Sequence, residues 1–385
     1  MKKLKTIKET TKKTGIELET VLFKDMVSKA RKGASNNNMI PLTSMMAIEL
    51  QDNKLTLITT DSRNYLYVIQ DNIPGNDFYA VVIVDTFAAL VAKTTSETIH
   101  LDLKGNSLEF VGNGKYSIEL PEEEGEMIEF PDPRQDVELD VLDDIHLTTI
   151  NTILNTVKPS LATTMEELCY TGYYCGDSVI ATDGEKISCM NVKLWDEPRI
   201  IPAQTMDLLS LMTAENIAVE AGEDIVIFST PDCVVYGRTM NCLEDFDYDG
   251  ILGALDLEYA STCKVKKSSL LQLLDRISLF VTQKVDNNEV FLTFTDKGIQ
   301  VSSKASSGVE LIKYLESDSF EPFSCTIDIG MLVGEIKSLA DDAVEIWYGD
   351  ENEVSIKFTE GKITKVLSLS AEFEDDEEDI EEDEE

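Results

Sequence analysis

The chain has 385 residues, enough for two or three domains, and 43% of them are apolar, enough to fill the cores of those domains. It carries 33 basic and 73 acidic residues. This formal charge of −40 counts against a nucleic-acid-binding protein unless the basic residues are gathered on one surface. The seven cysteines form no CxxC pair, so we interpret them as buried apolar side chains in a reducing compartment and predict no metal site.

The two ends of the chain differ in charge. Residues 1–15 form a Lys-rich N-terminal extension, and because no apolar segment follows it, a signal peptide is not predicted. No run approaches membrane-spanning length, so we expect a cytoplasmic protein with no membrane partner. Residues 372–385 contain 12 acidic residues and almost no apolar ones, which predicts a disordered acidic tail.

The first third begins with an amphipathic helix that Thr20 is predicted to cap and Gly33 to end. Its inward face is predicted to carry Leu22, Phe23, Met26, Val27 and Ala30. The strands Met46–Leu50 and Lys54–Thr60 follow, and their alternation of apolar and polar residues is typical of half-exposed antiparallel strands.

The middle third has the same plan. A helix is predicted over Leu147–Val157, because Pro159 cannot continue it. Two strands follow it, at Glu167–Cys175 and Ser178–Thr182.

The last third also begins with a helix, which Ser268 is predicted to cap. Its inward residues are Leu270, Leu271, Leu274 and Ile277. The strands Glu289–Thr295 and Gly298–Lys304 come next, around a short turn.

A second half-module occurs three times, at Val84–Leu120, Pro202–Met240 and Ile327–Ser370. Each copy reads as a short helix, a polar break, a strand, a tight turn and more strand, and such spacing indicates internal repeats. The sequence therefore predicts an α+β fold of three similar domains, each with two helices on antiparallel sheets. The predicted domains are residues 1–133, 134–255 and 256–371.

Catalytic groups are scarce. The two histidines, His100 and His146, lie in no recognisable nucleophile context, and Gly112-Asn113-Gly114 leads into no helix that could bind phosphate. No pair of carboxylates stands out for hydrolysis either. We predict no catalytic residue and no cofactor, and hence not an enzyme.

The strongest metal-binding alternative is Asp245-Phe246-Asp247-Tyr248-Asp249-Gly250, which matches the first half of an EF-hand calcium loop. Leu252 and Asp256 stand at the eighth and twelfth positions of that loop. The preceding segment Cys233–Met240 reads as a strand, whereas an EF-hand needs a helix on both sides. An acidic calcium-binding protein stays the alternative function.

Apart from the Lys-rich N-terminal extension, much of the positive charge lies on or beside predicted helices. The residues concerned are Lys24, Lys29, Arg31, Lys32, Lys93, Lys158, Lys266, Lys267, Arg276 and Lys337. Two interpretations stay open: these are ordinary polar faces of amphipathic helices, or they form one positive surface that contacts DNA phosphates.

Several short segments carry a resemblance to a known family by their order and spacing. They are Ile40-Pro41, Thr59-Thr60-Asp61, Ile180-Ala181-Thr182-Asp183-Gly184-Glu185-Lys186-Ile187, Ile200-Ile201-Pro202, Leu243–Leu252 and Asp328–Ser370. Across Ile16–Ser370 the chain resembles the bacterial sliding clamp, the beta subunit of DNA polymerase III. Two features depart from the family: Glu185-Lys186 stands where His-Arg is common, and an acidic tail follows the last strand.

The resemblance implies a ring-shaped homodimer of six domains, with helices lining a central hole. Such a clamp encircles duplex DNA without sequence preference and tethers a replicative DNA polymerase for processive DNA replication. Its expected partners are double-stranded DNA, a DNA polymerase, a clamp loader and a second copy of the chain. A clamp-like decoy that does not encircle DNA is the further alternative.

The resemblance also implies two sets of contact residues. The first is a partner-peptide pocket formed by Tyr170, Thr182, Gly184, Lys186, Ile187, Phe246, Ile251, Val366 and Leu369. The second is a head-to-tail dimer interface at Tyr116, Ile118, Leu279 and Phe280, for which ordinary core packing is the alternative.

Overall fold

The structure is a computed structural model that describes residues 15–37, 39–133, 137–164, 167–281, 287–303, 308–318 and 321–370. All but residue 15 of the Lys-rich extension, and the whole acidic tail at 372–385, lie outside the described residues. No helix in the described ranges has the length and apolar composition that a membrane crossing requires.

The element order repeats three times along the chain: strand, helix, three strands, strand, helix, three strands, with one extra short strand in the third repeat. The first repeat contains β1 (Ile16–Glu19), α1 (Thr20–Arg31), β2 (Met45–Gln51), β3 (Lys54–Thr60), β4 (Asn64–Gln70), β5 (Phe78–Ile83), α2 (Val84–Lys93), β6 (Thr98–Lys104), β7 (Ser107–Val111) and β8 (Lys115–Glu119). A small hairpin of β9 (Glu122–Glu123) and β10 (Glu126–Met127) follows.

The second repeat contains β11 (Asp140–His146), α3 (Leu147–Thr152), β12 (Gly172–Cys175), β13 (Val179–Thr182), β14 (Lys186–Met190), β15 (Arg199–Pro202), α4 (Ala203–Leu209), β16 (Asn216–Ala221), β17 (Ile225–Ser229) and β18 (Cys233–Arg238). The connecting helix α5 (Tyr248–Leu255) leads to the third repeat. That repeat contains β19 (Tyr259–Lys266), α6 (Lys267–Ile277), β20 (Glu289–Thr295), β21 (Gly298–Ser303), β22 (Val309–Ile312), β23 (Glu316–Asp318), β24 (Phe323–Asp328), α7 (Ile329–Ser338), β25 (Ala343–Asp350), β26 (Ser355–Glu360) and β27 (Ile363–Ser368).

The chain divides into two compact units, and the second repeat contributes to both. The first unit comprises residues 1–150 and 204–239, and the second comprises 151–203 and 240–385. The first unit holds a sheet in the order β11-β16-β17-β18-β4-β3-β2-β5 and a second sheet in the order β1-β6-β7-β8. The second unit holds a sheet in the order β15-β12-β13-β14-β27-β26-β25-β19-β23 and another in the order β22-β21-β20-β24.

The core of the first unit lies where α1 and α2 pack together, because both helices are apolar on one face only. Phe23 of α1 meets Phe87 of α2 edge-on, with ring centroids 6.0 Å apart. The predicted inward face is confirmed at four of its five positions, but Leu22 is only half-buried. The predicted Thr20 cap is wrong: α1 follows β1 directly, and Thr20 is the first buried residue of the helix.

The core of the second unit is built by α6 and α7 over the strands of the third repeat. Phe294 and Tyr348 stack there with ring centroids 3.9 Å apart. The predicted Ser268 cap is also wrong, since α6 begins at Lys267, directly after β19. Leu273 is buried, although Leu271 was predicted to be, and Leu271 is only half-buried. The buried face of the helix is therefore rotated slightly from the predicted one.

The middle third departs from the prediction at two places. The predicted helix begins at Leu147 as expected but changes to a π-helical turn at Ile153–Val157, before the 3₁₀ turn that contains Pro159. The predicted strand Glu167–Cys175 is shorter, because Leu168–Thr171 forms a 3₁₀ turn and β12 starts only at Gly172.

The surroundings of the cysteines and of His146 are those of side chains with a structural role. All seven thiols are free, and all but Cys189 are fully buried. Burial raises the pKa of Cys233 and Cys263 to about 12, so these thiols stay neutral. The imidazole of His146 lies beside the start of α3, 3.0 Å from a Glu215 carboxylate oxygen.

Candidate partner pocket and basic helix surfaces

A tight turn after β13, held by hydrogen bonds, lies at the edge of the predicted pocket. One Asp183 carboxylate oxygen accepts hydrogen bonds from the backbone N–H groups of Glu185, at 3.1 Å, and Lys186, at 3.0 Å. Gly184 has a φ of +94°, a conformation that residues with a side chain rarely adopt. The predicted Thr-Asp-Gly motif therefore folds as a preformed loop.

Strand register places three predicted pocket residues in one row. Ile187 of β14 lies opposite Thr182 of β13 on one side and opposite Val366 of β27 on the other. Directly opposed residues of antiparallel strands are close enough for their side chains to touch. The row crosses the junction where the second and third repeats share one sheet.

Aromatic side chains form a second wall. Phe246 stacks on Tyr174 with ring centroids 5.2 Å apart and meets Tyr170 edge-on at 5.7 Å. Ile251 of α5 belongs to the same apolar cluster, as does Ile187. Tyr174 was not predicted, although its place in an apolar strand indicated burial. Burial raises its pKa to about 12.

Helix α5 is positioned by its own cap. An Asp247 carboxylate oxygen accepts a 3.0 Å hydrogen bond from the Gly250 N–H. The EF-hand alternative is therefore wrong for this segment, because a helix forms where a calcium loop is required and a strand precedes it. The described part of the chain contains no group of three or more His, Cys, Asp or Glu side chains arranged to hold a metal ion.

Two predicted pocket residues have other surroundings. Leu369 packs against the core of the third repeat, and its N–H donates to the Val354 carbonyl at 2.8 Å. Lys186 lies between two carboxylates, with its ammonium 3.3 Å from Asp183 and 3.9 Å from Glu335. The Lys186 side chain therefore lies on the face of the sheet opposite to Ile187, and its charge is already balanced.

Half of the predicted DNA-contacting cations are engaged by protein groups. In the first unit, Arg31 donates two hydrogen bonds to one Asp85 oxygen, the shorter at 2.7 Å, and Lys29 pairs with Asp25 at 3.0 Å. In the second unit, Arg276 makes a bidentate pair with Glu310.

Two further cations of the second unit are held by protein atoms. Lys267 donates a hydrogen bond to the Leu339 carbonyl. Lys158 is half-buried and also interacts with another protein group.

The other five cations make no salt bridge with any described residue. They are Lys24, Lys32, Lys93, Lys266 and Lys337. All are on helices or at helix ends, and all but Lys24 are exposed. The structure therefore leaves about half of the predicted positive charge available for a partner.

The predicted interface residues are mainly exposed rather than core. Tyr116, on the edge strand β8, is 45% exposed, and Leu279, just after α6, is 79% exposed. Phe280 is also exposed and Ile118 is half-buried. The edge strand β22 exposes Val309 in addition, which was not predicted.

No family model matches the chain, and no curated protein sequence is similar enough to count as a match. Solved structures do match. The beta chain of DNA polymerase III from Streptococcus pneumoniae has a TM-score of 0.81 and 15% identity, over 93% of this chain and 100% of that one. The chain has the fold of the sliding clamps.

Two further structures agree. The beta subunit of DNA polymerase from Streptococcus pyogenes matches with a TM-score of 0.82 and 14% identity, over 92% of this chain and 99% of that one. DNA polymerase III subunit beta from Borrelia burgdorferi matches with a TM-score of 0.81 and 16% identity, over 94% of this chain and 100% of that one. The predicted α+β sliding-clamp fold of three similar repeats is confirmed, at an identity that supports the fold alone.

Proposed function

We propose that this protein is a DNA sliding clamp that encircles duplex DNA and tethers a replicative DNA polymerase. It acts in the cytoplasm without catalysis, and a loader opens the ring. The observation that carries the proposal is the sliding-clamp fold over more than nine-tenths of the chain. The three repeats correspond to domains at residues 1–133, 134–255 and 256–371.

The strand pairing supports a ring of two chains. Within the first unit, β4 of the first repeat pairs with β18 of the second, and within the second unit, β14 of the second repeat pairs with β27 of the third. The same rule would pair β22 of the third repeat with β8 of a first repeat. Both are sheet edges that expose apolar side chains. A second copy of the chain supplies the missing strand at each edge, so two copies close head to tail.

Binding to DNA then depends on topology more than on affinity. A closed ring needs only loose phosphate contacts, which Lys24, Lys93 and Lys337 are free to make. The acidic surface elsewhere does not face the duplex, so the formal charge of −40 is compatible with DNA inside the ring.

The polymerase is recruited through the row of Thr182, Ile187 and Val366 and the aromatic wall at Phe246. Apolar side chains of a partner peptide would enter between them and provide most of the binding free energy.

A clamp-like decoy is the second candidate, because five of the ten predicted DNA-contacting cations are engaged by protein groups. It would block a DNA-binding partner without encircling DNA.

Retention on circular and linear DNA separates these proposals. The protein, closed on a nicked plasmid by its loader, is passed over a sizing column before and after the plasmid is cut. We expect co-elution with the circle and release after cutting, because a ring slides off a free end. Equal release from both forms would contradict the clamp and favour the decoy.

A further inference from the structure

A buried ion pair lies beneath the predicted pocket, in the second unit. Lys365 of β27 is 0% exposed and Glu335 of α7 is 1% exposed, and the ammonium donates to a Glu335 carboxylate oxygen at 2.5 Å. The same ammonium donates to the Ser188 hydroxyl at 2.8 Å and to the Thr156 carbonyl at 2.6 Å. All three ammonium protons are therefore used.

Stability does not explain this arrangement. Removing two charges from water commonly costs more than their attraction returns, so apolar residues of similar volume would serve the core as well. Burial lowers the pKa of Lys365, which reflects that cost, and the nearby Glu335 carboxylate opposes the shift. The second Glu335 oxygen accepts no hydrogen bond from a described residue, and the Lys186 ammonium lies 3.9 Å from it.

The first unit solves the equivalent packing problem without charge. The turn at Asp61 and the turn at Asp183 have the same hydrogen bonds, which aligns Leu66 of β4 with Ser188 of β14. The two strand registers then align Val235 with Lys365. Leu209 stands at the same distance from its helix start as Glu335. These three equivalents, Leu66, Val235 and Leu209, are all fully buried and apolar.

The location of the ion pair indicates a role in strand pairing. The β14–β27 pairing is the single junction between the strands of the second repeat and those of the third in this sheet, and Ser188 lies directly opposite Lys365. A shift by one residue would turn Lys365 to the other face. A shift by two residues would keep the faces but would separate Lys365 from Ser188. A specific polar contact penalises the two-residue shift in addition to the packing of the apolar side chains.

We propose that Lys365, Glu335 and Ser188 are positioning residues that fix the register of β14 against β27 and so hold Ile187 opposite Val366 in the pocket. This inference rests on the proposed function of the pocket.

The test grafts the apolar residues of the first unit onto the second. The full-length variant Ser188→Leu, Glu335→Leu, Lys365→Val is compared with wild type for binding of a fluorescein-labelled peptide, Ser-Leu-Ser-Leu-Phe-Ser. The peptide offers aliphatic and aromatic anchors to the Ile187 row and the Phe246 wall. We expect the unfolding midpoint to fall only modestly, because the buried Ser160 hydroxyl and the Thr156 carbonyl lose their partners, while the peptide dissociation constant rises at least tenfold. The single variant Glu335→Gln, which keeps the side-chain size, should also weaken binding.

A matched control separates register from general destabilisation. Leu108→Ala opens a cavity at the β1-β6-β7-β8 sheet of the first unit, so it should lower the unfolding midpoint and leave peptide binding unchanged at temperatures where the protein is folded. Amide hydrogen exchange gives a second readout. It should accelerate in β14 and β27 of the grafted variant and stay unchanged in β20 and β21.

Each outcome decides the inference. Wild-type exchange in β14 and β27, or wild-type peptide affinity, in the grafted variant would overturn it. Accelerated exchange in β14 and β27 together with weaker peptide binding would support it. If wild type itself does not bind the peptide, the proposed pocket is wrong and the exchange result alone decides the register.

Discussion

The two junctions at which the second repeat shares a sheet with a neighbouring repeat have equivalent topology but different polar chemistry. In the first unit, Asn64 of β4 is buried, and its side-chain oxygen accepts a 2.6 Å hydrogen bond from Thr205 of α4. In the second unit, Lys365 of β27 is buried and bonded to Glu335 of α7. Each junction thus has one polar side chain held by a helix.

The difference teaches what a junction requires. A neutral hydrogen bond is sufficient to satisfy a buried polar group at a sheet junction, and it avoids the desolvation of two charges. The charged version occurs only at the junction that borders the proposed partner pocket. We therefore attribute the charge to the accuracy of that pocket and not to folding in general.

The largest expected effect separates the charged junction from the neutral one. Lys365→Met leaves the Glu335 carboxylate buried without its partner, so we expect a loss of about 3–5 kcal/mol in the free energy of unfolding. Thr205→Val removes only a neutral donor from Asn64 and should cost about 1–3 kcal/mol. Urea unfolding of both variants measures the two values, and equal losses would remove the distinction.

A second prediction tests whether only one junction binds a partner. Ile187→Ala removes an apolar wall of the pocket and should weaken binding of the labelled peptide about tenfold. Tyr65→Ala is the matched control, because Tyr65 holds the equivalent place in the first unit, opposite Tyr236. Fluorescence anisotropy reports both affinities. An equal loss in the control would show that the peptide does not distinguish the junctions.

A third prediction concerns the salt dependence of DNA binding by the exposed cations, with a junction variant as the control. If each lysine contacts one phosphate as proposed, Lys24→Ala with Lys93→Ala should reduce the slope of log affinity for duplex DNA against log salt by about 1 to 2. Arg276→Ala should change the slope less, since Glu310 already neutralises its charge. Thr205→Val should leave the slope unchanged. Titrations at several salt concentrations measure these slopes.

The smallest expected effect concerns alkaline pH at the neutral junction. Burial raises the pKa of Cys233 of β18 to about 12. The folded state therefore holds the thiol proton more tightly than the unfolded state, and stability is complete below the unfolded pKa of about 8.5 and is lost as pH rises toward 12. Cys233→Ala should flatten the decline in urea midpoint between pH 8 and pH 10. An unchanged slope would show that this thiol does not contribute.

The periodicity of the sequence predicted the fold well because it reflects burial. Helix faces and strand alternation located most of the helices and two strands in the first half of each repeat, and the order of short motifs indicated the clamp arrangement. The helix caps at Thr20 and Ser268 were wrong because both helices follow a strand without a break, so no side chain is needed to start them.

The candidate sites were harder to predict from the sequence than the fold. Arg31 and Asp85 are 54 residues apart, so their pairing depends on how α1 packs on α2. The buried Lys365 could have been recognised, since strand alternation places it on one face with Ile363 and Leu367. Nothing local indicated that Glu335 would meet it.

The closed ring is the assumption on which the DNA and edge-strand proposals both depend, and native mass spectrometry measures it most directly. We predict a particle of twice the 42.9 kDa chain mass for the full-length protein. A variant with Tyr116→Glu and Leu279→Glu should give one chain mass, because charge at both exposed edges prevents their pairing. A wild-type protein that remains a single chain at micromolar concentration would contradict the account.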